Sequence, residues 1–251
     1  MLARAPRLPW RPWHGGMRGA CLMVCLLLGS LKSATAQEAV EAVYEGPVTR
    51  YAHGVLGDGI EYEILTVTLS DGRVLRRRHD APLVFEDTAP RLWDIDGDGK
   101  PEIVTVESHA RRGARLAVWT VSDGRLDPLA VTPFIGQRFR WLAPVGAADL
   151  DGDGAMEIAY VDRPHLARVL RVWRFADGVL TEVASGASFT NHRIGWDYIE
   201  GGIRVCGAGP EMIVASGDWR SVVALTFDGT LRSRVLGDYS AAAMARALRC
   251  E

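Results

Sequence analysis

Short runs of alternating apolar and polar residues recur along the chain, and each run ends in an aspartate-glycine turn. The turns are Asp71-Gly72, Asp123-Gly124, Asp177-Gly178 and Asp228-Gly229, so the turn aspartates are separated by 52, 54 and 51 residues. Another short apolar segment follows each turn. Alternation with a period of two on both sides of such a turn predicts a β-hairpin. The sequence therefore predicts four hairpins in a regular repeat.

A second marker falls between the hairpins. Glu102, Glu157 and Glu211 each open a β-rich apolar run, and they are spaced by 55 and 54 residues. Each repeat therefore contains four short strands, and four-stranded repeats of about 50 residues are typical of β-propeller blades. We expect an all-β fold, a small β-propeller of about four four-stranded blades, with repeats near residues 43–88, 89–140, 141–190 and 191–240 of a single domain at 37–251. The alanine-rich residues 240–249 predict a short C-terminal helix.

The first repeat is incomplete. An acidic loop precedes the second and third hairpins, but none precedes the first. If the ring closes, the missing strand must come from elsewhere, and a propeller commonly completes one blade with strands from both ends of the chain. An open ring, or a ring completed by oligomerisation, is the alternative.

The charge of the chain is unevenly distributed. Residues 1–36 contain five cations and no acid, an apolar run at residues 20–28, and the small residues Ala34-Thr35-Ala36. This pattern predicts a secretory signal peptide, with a mature chain that begins at Gln37. A membrane anchor is the alternative, but the apolar run is shorter than the roughly 20 residues that span a bilayer. The remaining chain has 24 of the 29 cations and all 31 acids, a formal charge of -7. We expect a periplasmic or secreted protein with no membrane span in the mature chain and no nucleic-acid partner.

Two of the four cysteines, Cys21 and Cys25, fall inside the predicted signal peptide. The other two, Cys206 and Cys250, form an even pair in an exported chain, which predicts a disulfide bond. Two buried thiols are the alternative.

Two nine-residue loops, at 94–102 and 149–157, share the pattern D-x-D-G-D-G-x-x-E. Side-chain oxygens at positions 1, 3, 5 and 9, with a backbone carbonyl at position 7, are the hard ligands that Ca²⁺ prefers. We expect two structural calcium sites. Their ligands would be Asp94, Asp96, Asp98, the carbonyl of Lys100 and Glu102 in the first loop, and Asp149, Asp151, Asp153, the carbonyl of Ala155 and Glu157 in the second. An acidic turn without an ion is the alternative, but its carboxylates would repel one another. Mg²⁺ fits less well because it demands stricter octahedral geometry.

These loops, each followed by an apolar strand in a repeat of this length, resemble the FG-GAP/VCBS repeats of integrin-like β-propellers. In that family the loop joins the first two strands of a blade and holds calcium, so the resemblance implies the same two ligand sets. It covers about residues 90–180. The fourth repeat departs from the pattern, because Ile203, Val205 and Gly207 stand at positions 1, 3 and 5. The Phe-Gly and Gly-Ala-Pro landmarks of the integrin repeats are also absent, so the partner stays open.

The densest polar stretch outside the loops lies at residues 190–200. Asn191, His192, Arg193 and Asp197 surround Trp196 there, and they are either a candidate pocket or a connection whose polar groups satisfy turns. Trp93, Trp119 and Trp173 stand at strand positions and are expected in the core between blades.

No nucleophile-base-acid set is visible, so we assign no catalytic residue. This favours a calcium-binding propeller that acts as a binding or scaffold module for a protein or glycan ligand. A propeller hydrolase or lyase that acts on a glycan near residues 190–200 is one alternative, since a propeller can assemble a site from separate blades. A structural component of a surface assembly is the other.

Overall fold

Antiparallel β-strands make up most of residues 37–251, the part of the chain that this computed structural model describes. The predicted signal peptide lies outside the described residues. The strands and the helix have the following bounds: β1 Ala39–Val48, β2 Glu61–Leu69, β3 Val74–Arg78, β4 Leu83–Phe85, β5 Arg91–Trp93, β6 Glu102–His109, β7 Gly113–Ser122, β8 Arg125–Val131, β9 Leu142–Ala148, β10 Glu157–Asp162, β11 Val169–Ala176, β12 Val179–Ala187, β13 Phe189–Thr190, β14 Gly202–Val205, β15 Pro210–Ser216, β16 Ser221–Phe227, β17 Leu231–Asp238 and α1 Ala241–Leu248. The predicted all-β class and the short C-terminal helix are confirmed.

The strands form four antiparallel meanders, which we number 1 (β1–β3), 2 (β5–β8), 3 (β9–β12) and 4 (β14–β17). Within each meander, strands that follow one another in sequence pair side by side. Strand β4 pairs with both β2 and β6 and so joins the first two meanders into one sheet. Meanders 3 and 4 belong to separate sheets, and β13 adds to β15 in the last one.

Meander 1 has three strands, as the incomplete first repeat predicts. Its missing partner would lie beside β1, which pairs only with β2 in the sheet order. The residues after β17 form α1, so within residues 37–251 the C-terminal end supplies no strand to this meander.

Three apolar clusters fill the spaces between consecutive meanders. Leu65 and Val67 of meander 1 share a cluster with Ile103 of meander 2. The strand β10 is buried on both faces, because Ile158 belongs to the cluster shared with meander 2 and Ala159 to the cluster shared with meander 4. This explains why its sequence is a continuous apolar run instead of an alternating one. The tryptophans predicted to lie in the core belong to these clusters: Trp93, Trp119 and Trp173.

The two outer faces of the stack of meanders have different chemistry. On the outer face of meander 1, Thr66 and Arg76 donate hydrogen bonds to Glu45, and Thr68 donates to Glu41. These threonines alternate with the buried Leu65, Val67 and Leu69. The outer face of meander 1 is therefore polar.

Helix α1 covers the outer face of meander 4. Its buried Met244 and Ala247 share a cluster with Ile213 and Val222. Ser240 caps the helix, since its Oγ accepts the N–H of Ala243 at 3.0 Å.

The predicted disulfide between Cys206 and Cys250 is confirmed, and it joins the chain after α1 to the end of β14 across 5.6 Å between the Cα atoms. Arg204 also donates to the carbonyl of Ala247 at 2.6 Å. The end of α1 is therefore held to meander 4 by both a covalent and a hydrogen bond.

The strand directions divide the described molecule into two ends. Strands β6 and β10 begin at Glu102 and Glu157, so both acidic loops lie at one end, which we call the acidic-loop end. Every histidine of residues 37–251 lies at the opposite end, which we call the histidine end, either in a connection or, for His109, at the last position of β6: His53, His79, His109, His165 and His192. Within residues 37–251, no helix is both long enough and apolar enough to span a membrane.

Candidate functional site

The first acidic loop is organised by its leading aspartate. Asp94 accepts the N–H of Gly97 at Oδ1 (2.8 Å) and the N–H of Gly99 at Oδ2 (3.0 Å). The second loop repeats both bonds, with Asp149 accepting from Gly152 at 2.8 Å and from Gly154 at 3.0 Å. The two loops, 55 residues apart in sequence, therefore fold in the same way.

The glycines at positions 4 and 6 of each loop are required by the backbone. Gly97 and Gly99 have φ of +78° and +83°, and Gly152 and Gly154 have φ of +77° and +90°. Side chains of L-residues rarely occupy this left-handed region. The Asp-Gly-Asp-Gly pattern thus wraps the chain tightly around the leading aspartate.

The glutamate that closes each loop is the first residue of a buried strand. Glu102 and Glu157 are 5% and 0% exposed, and each accepts a backbone N–H at 2.9 Å, from Ile95 and from Leu150. In each glutamate the backbone holds one carboxylate oxygen, and in Glu157 the other oxygen accepts from Nε of Arg174 at 2.6 Å.

Three carboxylates converge in each loop. Asp94, Asp96 and Glu102 offer oxygens that lie within 4.8 Å of one another, and so do Asp149, Asp151 and Glu157. Asp98 and Asp153 lie outside these groups: Asp98 pairs with the ammonium of Lys100 at 2.6 Å, and Asp153 pairs at 2.9 Å with Arg174, which also pairs with Asp151 and Glu157. The structure therefore brings together three of the four predicted carboxylates in each loop. Such all-oxygen sets suit Ca²⁺ or Mg²⁺.

The electrostatics of the two loops differ. Burial, together with Asp96, Asp98 and Asp94, raises the pKa of Glu102. Burial also raises the pKa of Glu157, but the guanidinium of Arg174 acts against it. The second loop thus has a protein cation beside its carboxylates.

Meander 4 shows what replaces the acidic loop when its aspartates are missing. Glu211 accepts from Nε and Nη2 of Arg204 at 2.9 and 2.6 Å, and from Nη2 of Arg234 at 2.6 Å. Although burial acts to raise it, these two guanidinium groups hold the pKa of Glu211 below its ordinary value. Side-chain cations therefore neutralise the glutamate of the fourth repeat.

The polar stretch at residues 190–200 is divided between core and surface. Asn191 and His192 are fully buried, and the amide of Asn191 donates to the carbonyls of Ala143 and Pro144 at 3.2 and 3.3 Å. Arg193 and Asp197 are exposed, and the guanidinium of Arg193 lies 4.3 Å from the ring centre of Trp219. The four residues predicted as a candidate pocket do not converge on one cavity.

A cavity of about 220 Å³ lies beside that stretch at the histidine end, and sequence reasoning missed it. Its walls come from four separate connections and include His53, Arg140, Trp141, His165 and Ile194. No motif could reveal this set, because the residues are far apart in sequence. One signal was available, since every histidine after residue 37 falls at the same end of the predicted strands.

Comparison with known proteins agrees with this geometry. Residues 94–160 match the family model for the FG-GAP-like repeat. The matched segment begins at the first aspartate of the first loop and extends past the second loop. The resemblance to this repeat family is thereby confirmed for that segment. No curated protein matches the chain.

Proposed function

We propose that residues 37–251 form an exported, calcium-stabilised β-propeller of four blades that acts as a binding or scaffold module. One observation carries the proposal: two acidic loops with the same hydrogen bonds, each with three converging carboxylates, lie within a segment that matches an FG-GAP-like repeat. This repeat suggests a β-rich module built for binding.

Calcium would have a structural role in both loops. Asp98 with the carbonyl of Lys100, and Asp153 with the carbonyl of Ala155, would complete the two ligand sets. A cation there relieves the mutual repulsion of the carboxylates, which in the first loop is opposed only by Lys100. Because the ion binds the folded loop and not the unfolded chain, it stabilises the fold by mass action.

The four meanders would be the blades. Consecutive meanders pack face to face, and the connections of the first and last meanders touch, since Gly195 donates its N–H to the carbonyl of Val55 at 3.0 Å. Val55 and Ile199 also share one apolar cluster. Connections at the histidine end would therefore join meanders 1 and 4 and close the ring. The polar face of meander 1 and helix α1 would lie on either side of this junction.

An oxidising compartment fits the disulfide at Cys206 and Cys250. Together with the predicted signal peptide, it supports a periplasmic or secreted location.

The experiment is thermal unfolding of residues 37–251 with Ca²⁺, with Mg²⁺ and with a chelator. Calcium should raise Tm, and at a concentration of 100 times Kd each site should add about 2.7 kcal/mol to the free energy of unfolding. The double variant Asp96→Asn, Asp151→Asn should lose this response. The matched control is Asp123→Asn, which changes an exposed turn aspartate at the same end, and it should respond like the wild type. Failure of Ca²⁺ to raise the Tm of the wild type would overturn the proposal.

A further inference from the structure

We infer that the cavity at the histidine end binds a small hydroxylated carboxylate of the sugar-acid type, whose carboxylate faces Arg140 and whose hydroxyl groups face His53 and His165. The inference names the ligand class of the proposed binding module and rests on that function, but it does not require calcium. The cavity lies at the end of the strands opposite to the acidic loops.

The cavity has the size and lining of a site for a small molecule. Its volume is about 220 Å³, somewhat below the roughly 300–1,000 Å³ of pockets for drug-sized ligands, which favours a smaller ligand. Apolar walls from Val55, Phe139 and Ile194 surround a few polar side chains. A mostly apolar pocket with a few convergent polar groups is the usual form of a ligand site.

His53 is part of the cavity wall and has one ring nitrogen without a protein partner among the described residues. Its Nδ1 lies 2.5 Å from Oε1 of Glu86, a fully buried residue that also accepts the hydroxyl of Ser108. The imidazole stacks on the ring of Phe139 at 5.0 Å between centres. These contacts fix the orientation of the ring, and its Nε2 has no hydrogen-bond partner among residues 37–251. The carboxylate of Glu86 occupies Nδ1 and leaves Nε2 for a hydroxyl group, which can either donate or accept a hydrogen bond.

His165 presents an acceptor, which follows from a chain of hydrogen bonds. Nε2 of His192 lies 2.9 Å from the carbonyl of Trp196, which can only accept, so this nitrogen carries the proton. Burial lowers the pKa of His192 and so keeps the ring neutral, which leaves Nδ1 as an acceptor. That atom lies 2.9 Å from Nε2 of His165, which must donate. Burial is the main cause that lowers the pKa of His165 to about 4, so this ring is also neutral at neutral pH and its Nδ1 has a lone pair.

Arg140 supplies the positive charge. It donates to the carbonyl of Phe139 at 2.8 Å and has no carboxylate partner among the described residues, whereas its neighbour in the cavity wall, Arg163, is paired with Asp162 at 2.8 Å. Five further arginines at the histidine end form no ion pair within residues 37–251: Arg111, Arg112, Arg138, Arg168 and Arg193. The acids Asp58, Asp80 and Asp197 at the same end also form no ion pair within the described residues, so the free positive charge at the cavity is that of Arg140 and not a combined field.

The same charges select among ligands. A metal ion would meet the two imidazoles but also the guanidinium groups of Arg140 and Arg163, which repel it. Among residues 37–251 these histidines belong to no group of three metal-ligating side chains. A neutral sugar would satisfy the histidines and leave Arg140 without a partner. A hydroxylated carboxylate matches all three groups.

The test is a titration followed by NMR of the histidine side chains, with D-glucuronate and D-gluconate as probes and D-glucose as the neutral control. Both acids should give saturable shifts at His53 and His165, and D-glucose should give none. Arg140→Gln should weaken the binding of glucuronate about tenfold, because a charge-assisted contact is lost. Arg220→Gln is the matched control: it removes an arginine that also lies at the histidine end, but outside the cavity wall and paired with Asp218, and it should change the Kd less than about twofold.

Three outcomes would overturn the inference: no saturable shift with either acid, equal binding of D-glucose, or an unchanged Kd in Arg140→Gln. The Tm of each variant shows that it is folded. Titration of Asp96→Asn, Asp151→Asn separates this inference from the calcium proposal. If glucuronate binds but Ca²⁺ does not raise the Tm, only the calcium proposal is wrong. If Ca²⁺ raises the Tm but glucuronate does not bind, only the ligand assignment is wrong.

Discussion

Arg174 donates from Nε to Oε1 of Glu157 at 2.6 Å, across the pairing of β10 with β11. It also reaches Asp153 and Asp151. In the first loop, β6 and β7 pair as far as Ile103 and Trp119, so the residue that follows Trp119 at the position equivalent to Arg174 is Thr120. The two loops share one backbone structure, yet only the second carries a guanidinium group among its carboxylates.

Replacing Arg174 with threonine, the residue at the equivalent position of the first repeat, should therefore lower the stability of the calcium-free protein and raise the calcium affinity of the second loop. In a chelator, Arg174→Thr should lower the free energy of unfolding by about 1–2 kcal/mol, because Glu157 loses a charged partner. With Ca²⁺, the affinity of the second loop should rise, because the competing cation is gone. Urea unfolding and calorimetric titration measure the two effects. The reciprocal variant Thr120→Arg should weaken calcium binding at the first loop, and a rise in affinity there would contradict this account.

The buried Glu61 should make the fold less stable at high pH. Burial, reinforced by Glu86, Asp58 and Asp87, raises its pKa to about 9 from the ordinary 4.5. Between these two values the folded chain holds a proton that the unfolded chain releases, so stability falls as the pH rises toward 9. Glu61→Gln should flatten this decline and be more stable than the wild type at pH 9 in urea unfolding.

Glu63, two residues after Glu61 on the same strand, provides a control because its pKa is shifted in the opposite direction. The hydrogen bond from Arg50 is the first of several contacts that lower its pKa. Its contribution to stability is therefore present above pH 4.5 and lost on acidification. Glu63→Gln should destabilise the fold at pH 7. If Glu61→Gln and Glu63→Gln changed the pH dependence of stability in the same direction, the pKa shifts of these two glutamates would have another origin.

Removing the disulfide should destabilise meander 4. The bond spans 44 residues, and closure of a loop of this length contributes up to about 4 kcal/mol on the chain-entropy account. Cys206→Ser, Cys250→Ser should lower Tm and speed amide exchange in α1. A reducing agent should reproduce the loss in the wild type and leave the variant unchanged. Unchanged exchange in α1 would show that the helix docks without the covalent bond.

The contact of α1 with meander 4 should depend on one side chain. Met244 is 2% exposed and packs among residues of β15 and β16. Met244→Ala should lower the free energy of unfolding by about 2–5 kcal/mol, the range for a buried methionine. Arg246→Ala, on the exposed side of the same helix, should cost less than about 0.5 kcal/mol in the same urea unfolding experiment. Equal losses in the two variants would contradict the assigned helix face.

Sequence reasoning succeeds where the signal is local. The turn at Asp123-Gly124 and the loop that ends at Glu102 are each encoded within ten residues, so their spacing predicts the meanders and the acidic clusters. It fails where distant segments meet. Nothing beside Asp153 shows that Arg174 of β11 pairs with it, and nothing beside His53 shows that His165 lines the same cavity. The docking of α1 on Ile213 is another such contact between distant segments.

Helix α1 also limits how many repeats this architecture accepts. An additional meander inserted after β8 or β12 would find an apolar sheet on both sides, as the existing inner meanders do. One appended after β17 would find its site occupied by Met244 and Ala247, and one placed before β1 would meet the polar side chains of Glu45 and Thr66. A further meander therefore fits between two existing inner sheets but not against the outer face of meander 1 or against α1, the two surfaces that would flank the junction of a ring.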